Sequence, residues 1–96
     1  MIKVTVHTIG LLRSLIRQGD LVLSLGEGSA VADLLVHLSD TYGSQVAALM
    51  AAPVSPDAHP PLRIMVNGRD IEVLDDRSTI LADGDDVLVL TPMAGG

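Results

Sequence analysis

Ala82-Asp83-Gly84-Asp85-Asp86-Val87-Leu88-Val89-Leu90-Thr91-Pro92-Met93-Ala94-Gly95-Gly96 is the stretch on which the reading of this sequence turns. Asp83-Gly84-Asp85-Asp86 spells a tight acidic turn. Val87 to Leu90 then forms a strand that is apolar on both faces, which suits a central position in a sheet. Its alternation separates Val87 and Val89 from Leu88 and Leu90, and leaves open which pair is inside. We expect Val87 and Val89 in the core, with Leu88 and Leu90 pointing outward. After Leu90 the chain runs through Pro92 to two glycines and carries no charged side chain beyond Asp86.

Working outward, Leu62, Ile64 and Val66 alternate with Arg63 and Met65 as a strand. Asn67-Gly68 is the strongest two-residue hairpin signal, because both residues accept positive φ. Ile71 and Val73 are expected to continue the returning strand, with turns at Asp75-Asp76 and Ser78-Thr79. Upstream, Val31, Leu34, Leu35, Leu38 and Tyr42 draw one apolar stripe on a helix. Ser29 is expected to cap its start and Gly43 to stop it. Val46 to Ala52 reads as a further helical turn, followed by a connector with Pro53, Pro56, Pro60 and Pro61. Ile2, Val4 and Val6 alternate with Lys3, Thr5 and His7 as a half-buried strand. Leu11, Leu12, Leu15 and Ile16 give a short helical piece, a turn follows at Gly19-Asp20, and Leu21 to Leu25 is a second strand. The order β, short helix, β, α, β, β, β predicts a two-layer α+β domain over residues 1–91, with a tail at 92–96.

The length of 96 residues fits one domain. There is no Phe or Trp and a single Tyr, so Leu, Val, Ile, Met and Ala must build the core. A net charge of −6 argues against a nucleic-acid partner, which calls for Lys and Arg against phosphate. Cysteine is absent, which removes thiolate chemistry and disulfides. The longest apolar run, Val46 to Val54, is too short for a bilayer and is interrupted by Pro53. No signal peptide is visible, so the expected location is the cytoplasm, without membrane attachment. The three histidines show no ligand spacing. The acidic group at Asp83, Asp85 and Asp86 lacks the calcium-loop pattern and reads as a solvated turn. No nucleophile elbow or phosphate cradle is present. Intrinsic catalysis is therefore not expected.

The tail suggests a different chemistry. Glycine has no Cβ, so Gly95 and Gly96 can pass a constriction that any side chain would block. Pro92 to Gly96 reaches about 17 Å when extended. A terminal carboxylate is ionised, with a pKa near 3.5, and is a poor electrophile. It needs activation, for example as an acyl-adenylate made from ATP.

Leu81 to Gly96, together with the Val66-Asn67-Gly68 hairpin, resembles the MoaD/ThiS-type sulfur carriers, which are ubiquitin-like β-grasp proteins. The first strand and the helical Gly10–Ile16 are nearer the MoaD branch. The resemblance implies a mixed sheet of about five strands on one main helix, with a flexible tail. It implies that an E1-like enzyme adenylates the Gly96 carboxylate with ATP and that a sulfur donor converts it to a thiocarboxylate. In the MoaD branch, the loaded tail enters a MoaE-like large subunit of molybdopterin synthase. Gly96 would carry the sulfur and Gly95 would give clearance, with no permanently bound cofactor. Where molybdopterin-type tails often read Phe-Pro-Pro-Val, this chain has Leu90-Thr91-Pro92-Met93, and its connector Ala51–Pro61 is long. Both features fit a divergent carrier serving another pathway, such as thiamine synthesis or tRNA thiolation. Leu88, Leu90 and Met65, with Pro92, Met93 and Ala94 of the tail, are the expected partner contacts. The alternatives are a ubiquitin-like modifier joined to lysines and a β-grasp binding module whose glycines are incidental.

Overall fold

The first strand, β1 (Ile2–Ile9), buries Ile2, Val4, Val6 and Thr8 and turns Lys3, Thr5, His7 and Ile9 to the other side, as its alternation dictates. Helix α1 (Leu11–Ile16) carries the chain round into β2 (Asp20–Leu25), which pairs antiparallel with β1 from Ile2↔Leu25 to His7↔Asp20. Helices α2 (Val31–Tyr42) and α3 (Ser44–Ala51) follow, then β3 (Arg63–Val66), the two-residue β4 (Arg69–Asp70) and β5 (Asp86–Leu90). The structure is a computed structural model and describes residues 1–17, 19–51 and 63–90. The proline-rich connector and the tail from Thr91 lie outside the described residues.

The five strands form one mixed sheet in the order β2-β1-β5-β3-β4. β1 and β5 run parallel through its middle, from Thr5↔Asp86 to Ile9↔Leu90. β3 lies antiparallel on the far side of β5, with Met65↔Leu88 and Arg63↔Leu90. α2 packs across one face of this sheet, which makes the fold a β-grasp. The central place expected for the last strand is the one it takes. Val87 and Val89 are fully buried, while Leu88 and Leu90 are half-buried on the opposite face.

The core between sheet and helices is aliphatic: Val4, Val6, Leu12, Leu34, Leu38, Val46, Val87 and Val89 are among its best-buried members. Each such side chain contributes about 1.5–3 kcal/mol by leaving water. The α2 stripe is as expected, with Val31, Leu34, Leu35 and Leu38 buried and Tyr42 packed at its edge. Val46 of α3 joins the same core, so the helix layer holds a second supporting helix.

Two local expectations are overturned. Ser29 does not cap α2; Ala30 stands at that position and has no side-chain acceptor. Ser29 and its neighbours are tied instead to the segment before β5. The Leu81 N–H donates to the Ser29 carbonyl at 2.8 Å, and the Val31 N–H donates to the Thr79 carbonyl at 2.9 Å. This bridge, with Ala30 opposite Ile80, moves the helix start one residue along. Asp33 supports the new start by accepting the Ala30 N–H at 2.8 Å, and a carboxylate there also suits the helix dipole. Gly43 ends the helix with φ 94°, as expected.

The second correction concerns Ile71 and Val73. They do not extend the strand after the hairpin; Ile71–Val73 is a 3-10 turn. The Asp70 carboxylate accepts the Glu72 N–H at 3.0 Å, which favours the turn over the ladder. The consequence is visible in burial. Ile71 enters the core, while Val73 is 74% exposed, although strand alternation would place both on one face.

Candidate functional site

The face of the sheet turned away from the helices is assembled from odd-numbered residues of β1 and β3 and even-numbered residues of β2 and β5. Along its centre, Leu88 lies between His7 on β1 and Met65 on β3, and Leu90 between Ile9 and Arg63. Met65, Leu88 and Leu90 are half-buried, and Ile9 is 46% exposed. Together they form an apolar strip that leads to the end of β5, where the tail begins. Two polar clusters flank the strip. On one side, Arg63 Nε lies 3.4 Å from Asp70 Oδ2. On the other, His7 Nδ1 is 2.7 Å from Asp20 Oδ1, and His7 Nε2 is 3.5 Å from Asp86 Oδ1.

Asp20 is the main reason that His7 holds its proton above the ordinary pKa of 6.5; desolvation of the ring opposes this, and Asp86 adds to it. The imidazole therefore ties β2, β1 and β5 together across the outer face. A second clamp fixes the start of β5. Asn67, at φ 52° in the hairpin, accepts the Asp86 N–H through Oδ1 at 2.9 Å and donates from Nδ2 to Asp85 Oδ1 at 3.0 Å. The acidic turn is closed internally, with Asp85 Oδ2 accepting the Ala82 N–H at 2.8 Å. It is also joined to β1, where the Lys3 N–H donates to Asp83 Oδ1 at 2.8 Å. The aspartates thus hold the turn that launches the last strand.

Of the residues singled out from the sequence, Leu88, Leu90 and Met65 come together on this face, while Pro92, Met93, Ala94, Gly95 and Gly96 lie outside the described residues. Sequence reasoning missed His7, Ile9 and Arg63 as neighbours of the strip. Parity puts His7 and Ile9 on one face of β1, but nothing local says that β5 lies alongside. Among the described residues, no group of three or more His, Asp or Glu side chains could hold a metal ion. A further concavity on the helix side is lined by Ala32, Leu35, Val36, Ser39 and Asp40, among others. The Ser39 hydroxyl there donates to the Leu35 carbonyl at 2.9 Å. No helix among the described residues is long and apolar enough to cross a membrane.

A family model, the ThiS family, matches residues 6–96. The chain belongs to the ThiS family. This ThiS-family chain is 30% identical over 84 residues to small archaeal modifier protein 3 of Haloferax volcanii, covering 88% of each. Its fold matches the solution structure of small archaeal modifier protein 1 from Methanosarcina acetivorans with a TM-score of 0.78 at 28% identity, over 100% of this chain and 98% of that one. It also matches Urm1 from Trypanosoma brucei with a TM-score of 0.74 at 25% identity, over 98% and 95%. The ThiS-family chain is thus a ubiquitin-like protein of the ThiS/MoaD carrier and modifier type.

Proposed function

We propose that this protein is a sulfur carrier whose Gly96 carboxylate is adenylated by an E1-like enzyme with ATP and then converted to a thiocarboxylate. The observation that supports it most is a family match that runs to residue 96 and so takes in Gly95-Gly96. The tail follows a central strand whose outward residues form an apolar strip. In this reading Leu88, Leu90 and Met65, with Pro92, Met93 and Ala94, seat the partner, Gly95 gives clearance and Gly96 carries the sulfur. Adenylation replaces a poor leaving group with AMP. Sulfur attack on the Gly96 carbonyl carbon then expels AMP and leaves the thiocarboxylate. The destination proposed for the sulfur is a MoaE-like molybdopterin-synthase large subunit, with another thiolation pathway as the variant that fits Leu90-Thr91-Pro92-Met93.

Intact mass after incubation with an E1-like enzyme, ATP and sulfide tests the first step. The expected gain is the mass difference between sulfur and oxygen, located at Gly96. An unchanged mass, with an enzyme preparation that loads another carrier, refutes the proposal. Reconstitution with a MoaE-like subunit and a pterin precursor then tests the destination.

A second reading is favoured by one finding: two similar proteins are named modifier proteins. The same activated Gly96 would then be transferred to lysine amines. Because Arg77 is the last basic residue of the sequence, trypsin would leave Ser78–Gly96 on a modified lysine. That fragment is the signature to seek.

A further inference from the structure

The sequence contains a single lysine, Lys3; its other side-chain cations, histidines aside, are arginines at 13, 17, 63, 69 and 77. Arginine is not an alternative acceptor, because its guanidinium stays protonated. Lys3 lies second in β1, with its side chain exposed on the outer side of the sheet. Its backbone is held at both polar groups. The N–H donates to Asp83 Oδ1 at 2.8 Å, and the carbonyl accepts the Gly84 N–H at 2.8 Å. The Lys3 side chain therefore starts from a fixed backbone position at one end of the central strand pair.

The tail departs from the other end. β1 and β5 are parallel, and Leu90 lies opposite Ile9. Ile9 lies six residue steps along β1 from Lys3, about 20 Å at the usual rise of a strand. The six residues after Leu90 span about 20 Å when fully extended. A chain's own tail would have to reverse and run back along most of β1 to reach its own Lys3 amine. The tail of another copy carries no such restriction.

We propose that Lys3 accepts the activated C-terminus of a second copy, so that copies join end to end through a Gly96–Lys3 isopeptide bond. The proposal rests on the modifier reading above. The unprotonated Nζ attacks the carbonyl carbon of the Gly96 acyl-adenylate. A C–N bond forms, the C–O bond to phosphate breaks, AMP leaves with the electron pair, and the amine's proton passes to water. The activating step consumes ATP. One lysine per copy makes the product unbranched and of one linkage. Donor and acceptor points at opposite ends make the contact head-to-tail, which builds a chain of copies, or a ring where the rotation between copies closes. The strip of Leu88, Leu90 and Met65 lies between those points and is repeated on each copy.

The test incubates the full chain with an E1-like activating enzyme and ATP, beside a lysine-rich acceptor protein. The expected result is a denaturant-resistant ladder of dimers and higher species, with Ser78–Gly96 found on Lys3 after trypsin. Lys3→Arg should remove the ladder while conjugates to the added protein persist and the melting temperature is unchanged. A ladder that survives Lys3→Arg, linkage found at Met1, or conjugates on the added protein with none on the chain itself overturns the proposal and leaves the modifier reading standing. A Gly96 acyl-adenylate that forms with no conjugate of any kind overturns both.

Discussion

Asn67→Ala separates the roles that one side chain plays in holding the terminal strand. Asn67 sits at φ 52°, where alanine is strained by about 1 kcal/mol. Its amide also makes the two bonds to Asp86 N and Asp85 Oδ1, at 2.9 and 3.0 Å. Both are exposed, so each is worth about 0.5–1 kcal/mol. The expected loss for alanine is therefore about 2–3 kcal/mol. For Asn67→Gly only the hydrogen bonds are lost, because glycine takes this φ freely, and the loss is about 1–2 kcal/mol. Urea unfolding read by linear extrapolation is the assay, with the midpoint moving and the slope constant. For a domain of this size, 2 kcal/mol corresponds to about 8–16 °C in Tm. Wild-type stability in both variants would show that the clamp carries no weight. Equal losses in Ala and Gly would show that the backbone strain does not.

Leu38→Ala, at a fully buried position on α2, should cost about 2–5 kcal/mol in the same assay; a loss below about 1 kcal/mol contradicts the core assignment. Leu90→Asp should fold, because Leu90 is half-buried, yet weaken binding to the activating enzyme at least about tenfold by titration calorimetry; unchanged affinity removes the strip from the docking surface. His7 has its pKa raised in the fold, so the stability it contributes is complete below 6.5 and fades as pH rises through the raised value. With its side chain 40% exposed, the effect is below about 1 kcal/mol. The wild type should therefore lose slightly more stability than His7→Gln on going up from pH 6, and an NMR titration midpoint of His7 at or below 6.5 contradicts the geometry.

The elements legible in the sequence are those whose signal is local and periodic. Ile2, Val4 and Val6 alternate, Val31 to Leu38 recur at helical spacing, and Asn67-Gly68 marks a turn that both residues adopt with positive φ. Each is a property of one segment and survives whatever packs on it. The failures are competitions between a local rule and a distant partner. Ser29 is a good cap in isolation, but its carbonyl is taken by Leu81 and the helix starts after Ala30. Ile71 and Val73 alternate like a strand, yet the Asp70 carboxylate and the pull of Ile71 into the core produce a turn.

The candidate site divides along the same line. The two glycines, the acidic turn and the doubly apolar last strand are written in consecutive residues, and the family resemblance was legible from them in the sequence alone. Which side of that strand faces out, and what lies beside it, was decided only by the fold. Alternation separates Leu88 and Leu90 from Val87 and Val89 whatever the packing, but only the helix layer makes the valine side the inner one. Only the parallel pairing of β1 with β5 brings His7 and Ile9, some eighty residues earlier in the chain, alongside Leu88 and Leu90. Strand pairing is a contact between distant segments, and short-range periodicity carries no record of its register.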